Sequence, residues 1–222
     1  MIIKSFGCSL IFGTDLPDHY DTGHPTKFNR AGSNFTWPAK IAQKKAADYK
    51  CYARAGAGNL QILEQILNQT TANDPATFII GWSFINRFDY HRPRVLSLSP
   101  WQTLMPIEQS DIARVYYRDL QSEYSDKLSN LAYIKLAIDT LNQKKISFLM
   151  TYMDESLFDC ESNISDAVRD LQDYVRPYMT KFDGQTFLHW SQTHGFPISK
   201  TLHPLEAAHA AAAELIESYN LV

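Results

Sequence analysis

The sequence predicts an α/β fold, a three-layer α/β/α sandwich around a mainly parallel sheet of about five strands. Two observations carry that reading. Short apolar runs, the clearest at residues 1–6, 77–82 and 146–152, alternate with longer segments of helical period. The first three expected strands each lead into a glycine turn, and strands joined through helices pair in parallel with right-handed crossovers.

In chain order, residues 1–6 form a buried strand that ends at Gly7. Residues 15–33, rich in Asp, Pro, Gly, His and Asn, keep no steady period and read as a loop. Residues 35–47 set Phe35, Ile41 and Ala42 among lysines, the pattern of a helix capped by Ser33 or Asn34. Residues 49–53 supply a second strand. Gly56 to Asn59 then turn the chain into a helix with Leu60, Leu63, Ile66 and Leu67 at helical spacing. The third strand, 77–82, is followed by a polar excursion over 88–110. A helix over 112–141, a fourth strand at 146–152 and a helix over 164–179 come next. Residues 187–190 are expected as a short fifth strand, and 204–219 as an alanine-rich helix. No internal repeat or low-complexity tract interrupts this order. The expectation is one domain over 1–222, with inserted loops near 15–33 and 88–110.

Composition narrows the function. The chain has 222 residues, 45% hydrophobic and 20% charged, enough apolar matter for a core without staples. A net charge of -3 and the absence of a basic stripe argue against a nucleic-acid partner; Lys40, Lys44 and Lys45 fit a solvated helix face. Three cysteines, Cys8, Cys51 and Cys160, without CxxC spacing, suggest reduced thiols in a cytosol-like compartment. The N-terminal stretch does not read as a signal peptide, and no run approaches the roughly 18 apolar residues of a membrane span.

In an open parallel sheet, ligands bind beyond the carboxyl ends of the strands. Gly7-Cys8-Ser9, Gly56-Ala57-Gly58-Asn59 and Gly81-Trp82-Ser83 all fall at that edge. Glycine turns there expose backbone N–H groups, and a serine beside them is a nucleophile next to an oxyanion hole. Near the other end, Leu202-His203-Pro204 precedes the last helix, where Pro204 suits the first turn. An imidazole there can take the Ser9 proton and return it to a leaving group. Each feature also has a plain structural reading: a turn serine, a helix entrance, a packing glycine.

Together, in this order, the blocks resemble the SGNH (GDSL-like) hydrolases. Ser5-Phe6-Gly7-Cys8-Ser9-Leu10 is similar to the family's opening motif, with Cys in place of Asp before the serine. This variant, followed by Phe35-Thr36-Trp37-Pro38, resembles members found in phage and bacterial genomes. Cys51 to Asn59 looks like the second block and puts Gly56 at the oxyanion-hole glycine. Leu202-His203-Pro204-Leu205 is similar to the block that carries the catalytic histidine. The resemblance implies a flavodoxin-like sandwich, Ser9 as nucleophile, His203 as base, and an oxyanion hole from Ser9, Gly56 and Ser83. It also implies no cofactor.

Two positions depart from the family pattern. Lys200 and Thr201 stand where an Asp is expected shortly before the histidine. Asp154, just beyond the fourth strand, is the candidate replacement, with a turn cap as its alternative role. Ser83 stands where the family has an oxyanion Asn, and its hydroxyl is a shorter, freely rotating donor. Arg87 and Asn59 are the substrate-binding candidates; a surface pair of Arg87 with Asp89 is the other reading.

No HExxH or similar ligand spacing is present, so no metal is expected, and Asp15, Asp18, His19, Asp21 and His24 read as a polar loop. A nucleotide binder of this fold lacks its P-loop or GxGxxG sequence. Two readings remain open. One is a serine esterase or deacylase acting on a small acyl ester, including an O-acetylated carbohydrate. The other is a weakly active or inactive module for glycan binding or assembly, such as a phage virion component, with Trp37, Tyr90 and Trp101 available to stack on sugars. A cytoplasmic or virion setting and assembly into an oligomer or larger particle go with these readings; a membrane partner does not.

Overall fold

A computed structural model of the chain describes residues 1–18, 32–92, 100–160 and 164–219. The elements in order are β1 (Ile2–Gly7), α1 (Ser9–Phe12), α2 (Trp37–Lys44), β2 (Asp48–Cys51), α3 (Asn59–Gln69) and β3 (Ala76–Trp82). Then come β4 (Phe88–His91), β5 (Trp101–Leu104), α4 (Asp111–Val115), α5 (Glu123–Gln143), β6 (Phe148–Tyr152), α6 (Asp166–Val175), α7 (Phe187–Thr193) and α8 (Glu206–Ser218).

The strands alternate strictly between two cores, as a two-residue side-chain period requires. Phe6, Phe78, Ile80, Trp82, Met150 and Tyr152 face one helical layer, where Ile62, Ile66, Ile134, Leu141 and Val175 meet them. Ile3, Ile79 and Leu149 face the other, packed with Ile11, Trp37, Ile41, Trp190 and Ala212. The result is a three-layer α/β/α sandwich. Its sheet has four parallel strands in the order β2-β1-β3-β6. Among the described residues, no helix is long and apolar enough to cross a membrane.

Five sequence expectations change. Residues 187–190 form the start of α7, not a fifth strand. Phe187, Trp190 and Ser191 are buried at helical spacing, and among the described residues a single parallel bridge, Met150 to Met179, continues the sheet beyond β6. The excursion after residue 88 contains an antiparallel hairpin, β4 with β5, in which Phe88 pairs with Leu104; residues 93–99 lie outside the described ones. The long helix expected over 112–141 is divided by a π-helical turn at Tyr116–Leu120, and α5 restarts where Ser122 accepts from the Ser125 N–H at 3.3 Å. The helix after residue 164 gives way at Pro177, which has no N–H to continue it. Neither Ser33 nor Asn34 caps α2; Thr36 holds the cap position, and Ser33 Oγ accepts from the Phe35 N–H at 3.0 Å.

The carboxyl edge of the sheet depends on two glycines. Gly7 and Gly81 are register partners at the ends of β1 and β3. A Cβ on either would come within 2.6 Å of Ile11 Cγ1, and one on Gly7 would also lie 2.8 Å from the Gly81 carbonyl oxygen. The bare backbone is therefore the seat for Ile11, which lets α1 descend onto the strand ends. Gly81→Ala is expected to cost about 1–3 kcal/mol in urea unfolding through overpacking. Combined with Ile11→Ala, it should cost less than the sum of the two single changes. Additive costs would show that Ile11 does not occupy that seat.

Candidate active site

Ser9 opens α1 directly after this seat. Cys8 holds extended backbone angles (φ -97°, ψ -153°) at the helix entrance, and the Ile11 and Phe12 N–H groups donate to its carbonyl. The amides of Ser9 and Leu10 come before that pattern begins and have no partner within the helix. Among the described residues, the Ser9 hydroxyl makes a weak 3.9 Å contact to the Cys8 sulfur. Cys8 is itself fully buried, 3.5 Å from the Met153 sulfur, and fills space as a small apolar side chain.

The helix stops at once because Gly13 turns left-handed (φ 88°) and its N–H donates to the Ser9 carbonyl at 2.8 Å. A side chain there would collide with Ser33 and Thr36. Asp15 follows, also left-handed at φ 69°, with buried Leu16 as the anchor behind it. This turn aims the Asp15 carboxylate at the far end of the chain. Ser199 Oγ donates to Asp15 Oδ2 at 2.7 Å, Thr201 Oγ1 donates to the same oxygen, and His203 Nδ1 lies 2.8 Å from it. Burial alone would raise the Asp15 pKa. The hydrogen bonds from Thr201, Ser199 and His203 outweigh burial and hold the carboxyl below its usual range.

The loop carrying His203 is equally constrained. Its backbone N–H donates to Ser199 Oγ at 3.1 Å, and its carbonyl accepts from the Ser199 N–H at 2.8 Å. Leu202, just before it, sits at φ 64°. A carboxylate partner makes Nδ1 the protonated nitrogen and leaves Nε2 free to accept. Ser9 and His203 border the same cavity of ≈ 370 Å³, so the two ends of the chain meet there.

The other candidates fall differently. Asp154 is not the carboxylate at His203: its oxygens accept from the Ile85 and Ser156 N–H groups at 3.0 and 3.1 Å, which makes it a turn cap. Asn59 does not face a ligand either. It is buried and clamps Ser83, accepting from the Ser83 N–H at 2.7 Å and donating to the Ser83 carbonyl and to Asn130. Ser83 Oγ is buried without a hydrogen-bond partner among the described residues. Gly56 takes φ 79° in an open turn, and neither it nor Ser83 borders the cavity. Arg87 does border it, with Nη1 donating to the Ala57 carbonyl at 3.0 Å and the guanidinium over the Phe84 ring. It is not paired with Asp89, which instead accepts from the Gly58 and Gln61 backbones and from Thr103. Asp18 accepts from the Asn34 N–H; His19, Asp21 and His24 lie outside the described residues. Among the described residues, no group of three His, Cys, Asp or Glu could hold a metal ion.

No protein-family model and no curated protein matches the chain. Solved structures do. A member of the lipolytic protein G-D-S-L family from Veillonella parvula DSM 2008 is 12% identical, with a TM-score of 0.54 over 100% of both chains. A similar protein, of the same G-D-S-L description, from Desulfitobacterium hafniense DCB-2 is 10% identical, with a TM-score of 0.52 over 98% of each. The fold is that of the GDSL lipolytic proteins. A carbohydrate esterase family 2 enzyme plus carbohydrate binding domain from Corynascus thermopiles (Myceliophthora fergusii) is 14% identical at a TM-score of 0.50; the alignment covers 98% of this chain and 64% of that one.

On this GDSL fold, the carboxylate facing His203 comes from the turn after Ser9 and not from the segment before the histidine. Asp15, Ser199 and Thr201 were the residues that sequence reading missed as a group. The available signal was Gly13, whose position just ahead of Asp15 marks a left-handed helix stop, and the two hydroxyl residues flanking Lys200.

His209, further along on α8, is fully buried and serves structure. Its Nδ1 accepts from the Trp37 N–H at 3.1 Å and so caps the first turn of α2. Burial first, then the charge of Lys40, pushes its pKa down to about 3. The unfolded chain therefore takes up this proton first as pH falls. The stability is whole above pH ~6.5 and is lost progressively toward pH 3. Urea unfolding at pH 5 should show about 2 kcal/mol less stability from this group than at pH 7.5. His209→Gln should flatten that part of the profile; an unchanged slope would contradict a buried neutral imidazole.

Proposed function

We propose that the chain is a serine carboxylic ester hydrolase with Ser9 as nucleophile, His203 as general base and acid, and Asp15 as the carboxylate that orients His203. The observation that carries this reading is the shared cavity of Ser9 and His203, with Nδ1 of the imidazole held 2.8 Å from Asp15. The esterase fold neighbours support the reaction class; the residue roles come from the chemistry of the groups themselves.

In this mechanism His203 Nε2 takes the proton of the Ser9 hydroxyl as its oxygen attacks the ester carbonyl carbon. The Asp15 charge stabilises the imidazolium that forms. The carbonyl oxygen becomes an oxyanion, for which the backbone amide of Ser9, without a partner inside the helix, is the first donor. Collapse of the tetrahedral intermediate releases the alcohol, which takes the proton back from His203. Water then attacks the acyl-serine, again giving its proton to Nε2; as the second tetrahedral intermediate collapses, Ser9 Oγ leaves the acyl carbon and takes that proton back from Nε2, and the carboxylic acid departs. Ser83, with its hydroxyl unpartnered, and the Gly56 turn are the further oxyanion candidates; each would have to move toward the cavity to act, which favours modest turnover. That same distance is what keeps the weakly active binding module as the second reading.

Ser9→Ala should abolish hydrolysis of short-chain aryl esters while the unfolding midpoint stays near wild type. Retained hydrolysis would remove the mechanism. Asp15→Asn should lower kcat by ~10²–10⁴ with little change in KM, since the wrong tautomer then faces Ser9. Asp154→Asn should leave kcat within about threefold and instead cost about 1 kcal/mol of stability, the usual cost of a weakened cap. If Asp154→Asn lost more activity than Asp15→Asn, the assignment of the orienting carboxylate would be wrong.

A further inference from the structure

Ser9, Asn86, Arg87, Thr201 and His203 supply the side-chain nitrogen and oxygen groups that border the cavity. Ser9 and His203 are taken up by the reaction, and Thr201 by its bond to Asp15. Asn86 and Arg87, adjacent on the loop after β3, have no part in it. Arg87 Nη1 donates to the Ala57 carbonyl at 3.0 Å, and the guanidinium lies over the Phe84 ring, 5.2 Å from its centre. Most of its N–H donors are left unengaged by the described residues. Among those residues the half-buried guanidinium forms no ion pair, and no carboxylate borders the cavity. His203 differs, because Asp15 stands 2.8 Å from its Nδ1. The Asn86 amide likewise has no hydrogen-bond partner among the described residues.

The loop that carries these two donors is fixed along its length. Asn59 clamps Ser83, and the Ile85 N–H donates to Asp154 at 3.0 Å. The Tyr117 hydroxyl, from the π-helical turn, donates to the Asn86 carbonyl at 2.7 Å. Donors already held in place lose little freedom when a ligand meets them. A partly desolvated cation without a carboxylate is itself unfavourable, and an oxyanion that fits the planar guanidinium fork relieves that cost. We infer that the ester carries a compact anionic group, a carboxylate or a phosphate, which binds Arg87 and Asn86 while its carbonyl carbon meets Ser9. Such a preference rests on the Ser9 reading and narrows it to a substrate class. The attraction is local, since the chain's net charge of -3 repels an anion at long range.

Three matched ester pairs test it with the whole chain. They are 4-nitrophenyl hydrogen adipate against 4-nitrophenyl methyl adipate, 4-acetoxybenzoate against methyl 4-acetoxybenzoate, and 4-acetoxyphenyl phosphate against its dimethyl ester. The first sets a carboxylate on the acyl side, the second a carboxylate on the alcohol side, and the third a phosphate there. In at least one pair, Arg87→Met should lower the ratio of kcat/KM for the charged ester to that for its neutral twin by about tenfold or more, the range for a hydrogen bond to a charged group. The loss should fall mainly in KM, and comparing ratios cancels the intrinsic reactivity of the esters. Arg87→Lys, which keeps the charge without the fork, should retain part of the ratio. Wild type gives an independent reading. Between ~0.02 and ~0.3 M salt, kcat/KM for the favoured charged ester should fall as screening weakens the local attraction, whereas repulsion by the net charge alone would make it rise. Unchanged ratios in all three pairs, or a rise with salt for every charged ester, overturns the inference, and Ser9-dependent hydrolysis then leaves the hydrolase reading standing. Cleavage of no ester in any pair overturns both.

Discussion

Ile11 pressed onto the bare backbones of Gly7 and Gly81 is the contact on which the site depends. It brings α1 down on the ends of β1 and β3, and everything chemical at the N-terminal end follows from that placement. Ser9 opens the helix with its amide outside the intrahelical bonding pattern, Gly13 closes the helix one turn later, and Asp15 emerges from the left-handed stop. The candidate nucleophile Ser9 and the Asp15 carboxylate thus belong to one short, internally braced segment. The imidazole has to be brought to them, and the small residues Ala208, Ala212 and Ala213 allow α8 to pack closely enough on this face of the sheet to do so.

Strain gathers at the same place. Asp15 and Leu202 both hold positive φ, at 69° and 64°, and they flank the pair of groups that meet across the chain. Leucine has no intrinsic reason to be left-handed, and such a conformation costs on the order of 1–3 kcal/mol. The hydrogen bonds that over-determine the loop, from Ser199 and Thr201 to Asp15 and between Ser199 and His203, offset that cost. A conformation held against its own preference keeps the imidazole in position before any ligand arrives.

Elements governed by local period were readable from residues alone. β1, β3 and β6 are short, mostly apolar runs, and α3 and α8 carry apolar residues at helical spacing, so the layered fold was accessible. That Ser9 and His203 would border one cavity was legible too, because a strand-end turn and a helix entrance each leave a local signature. What failed was local patterning with two meanings. Phe187 to Trp190 is as compatible with a short strand as with one helical turn, and only the burial of Phe187, Trp190 and Ser191 on one face decides it. Asp15 failed for a different reason: its role is set by a partner from the other end of the chain and by a turn geometry that depends on Ser33 and Thr36. Asp154 and Asn59 looked available in the sequence because polar residues at an active edge do; their hydrogen bonds are internal.

The most direct measurement is covalent labelling by a fluorophosphonate, read by intact mass and peptide mapping on the folded protein. One equivalent of phosphonyl group on the peptide containing Ser9 is the result expected of a hydroxyl activated by an oriented imidazole. A folded protein that stays unlabelled, or that carries the adduct on any other residue, would contradict the account.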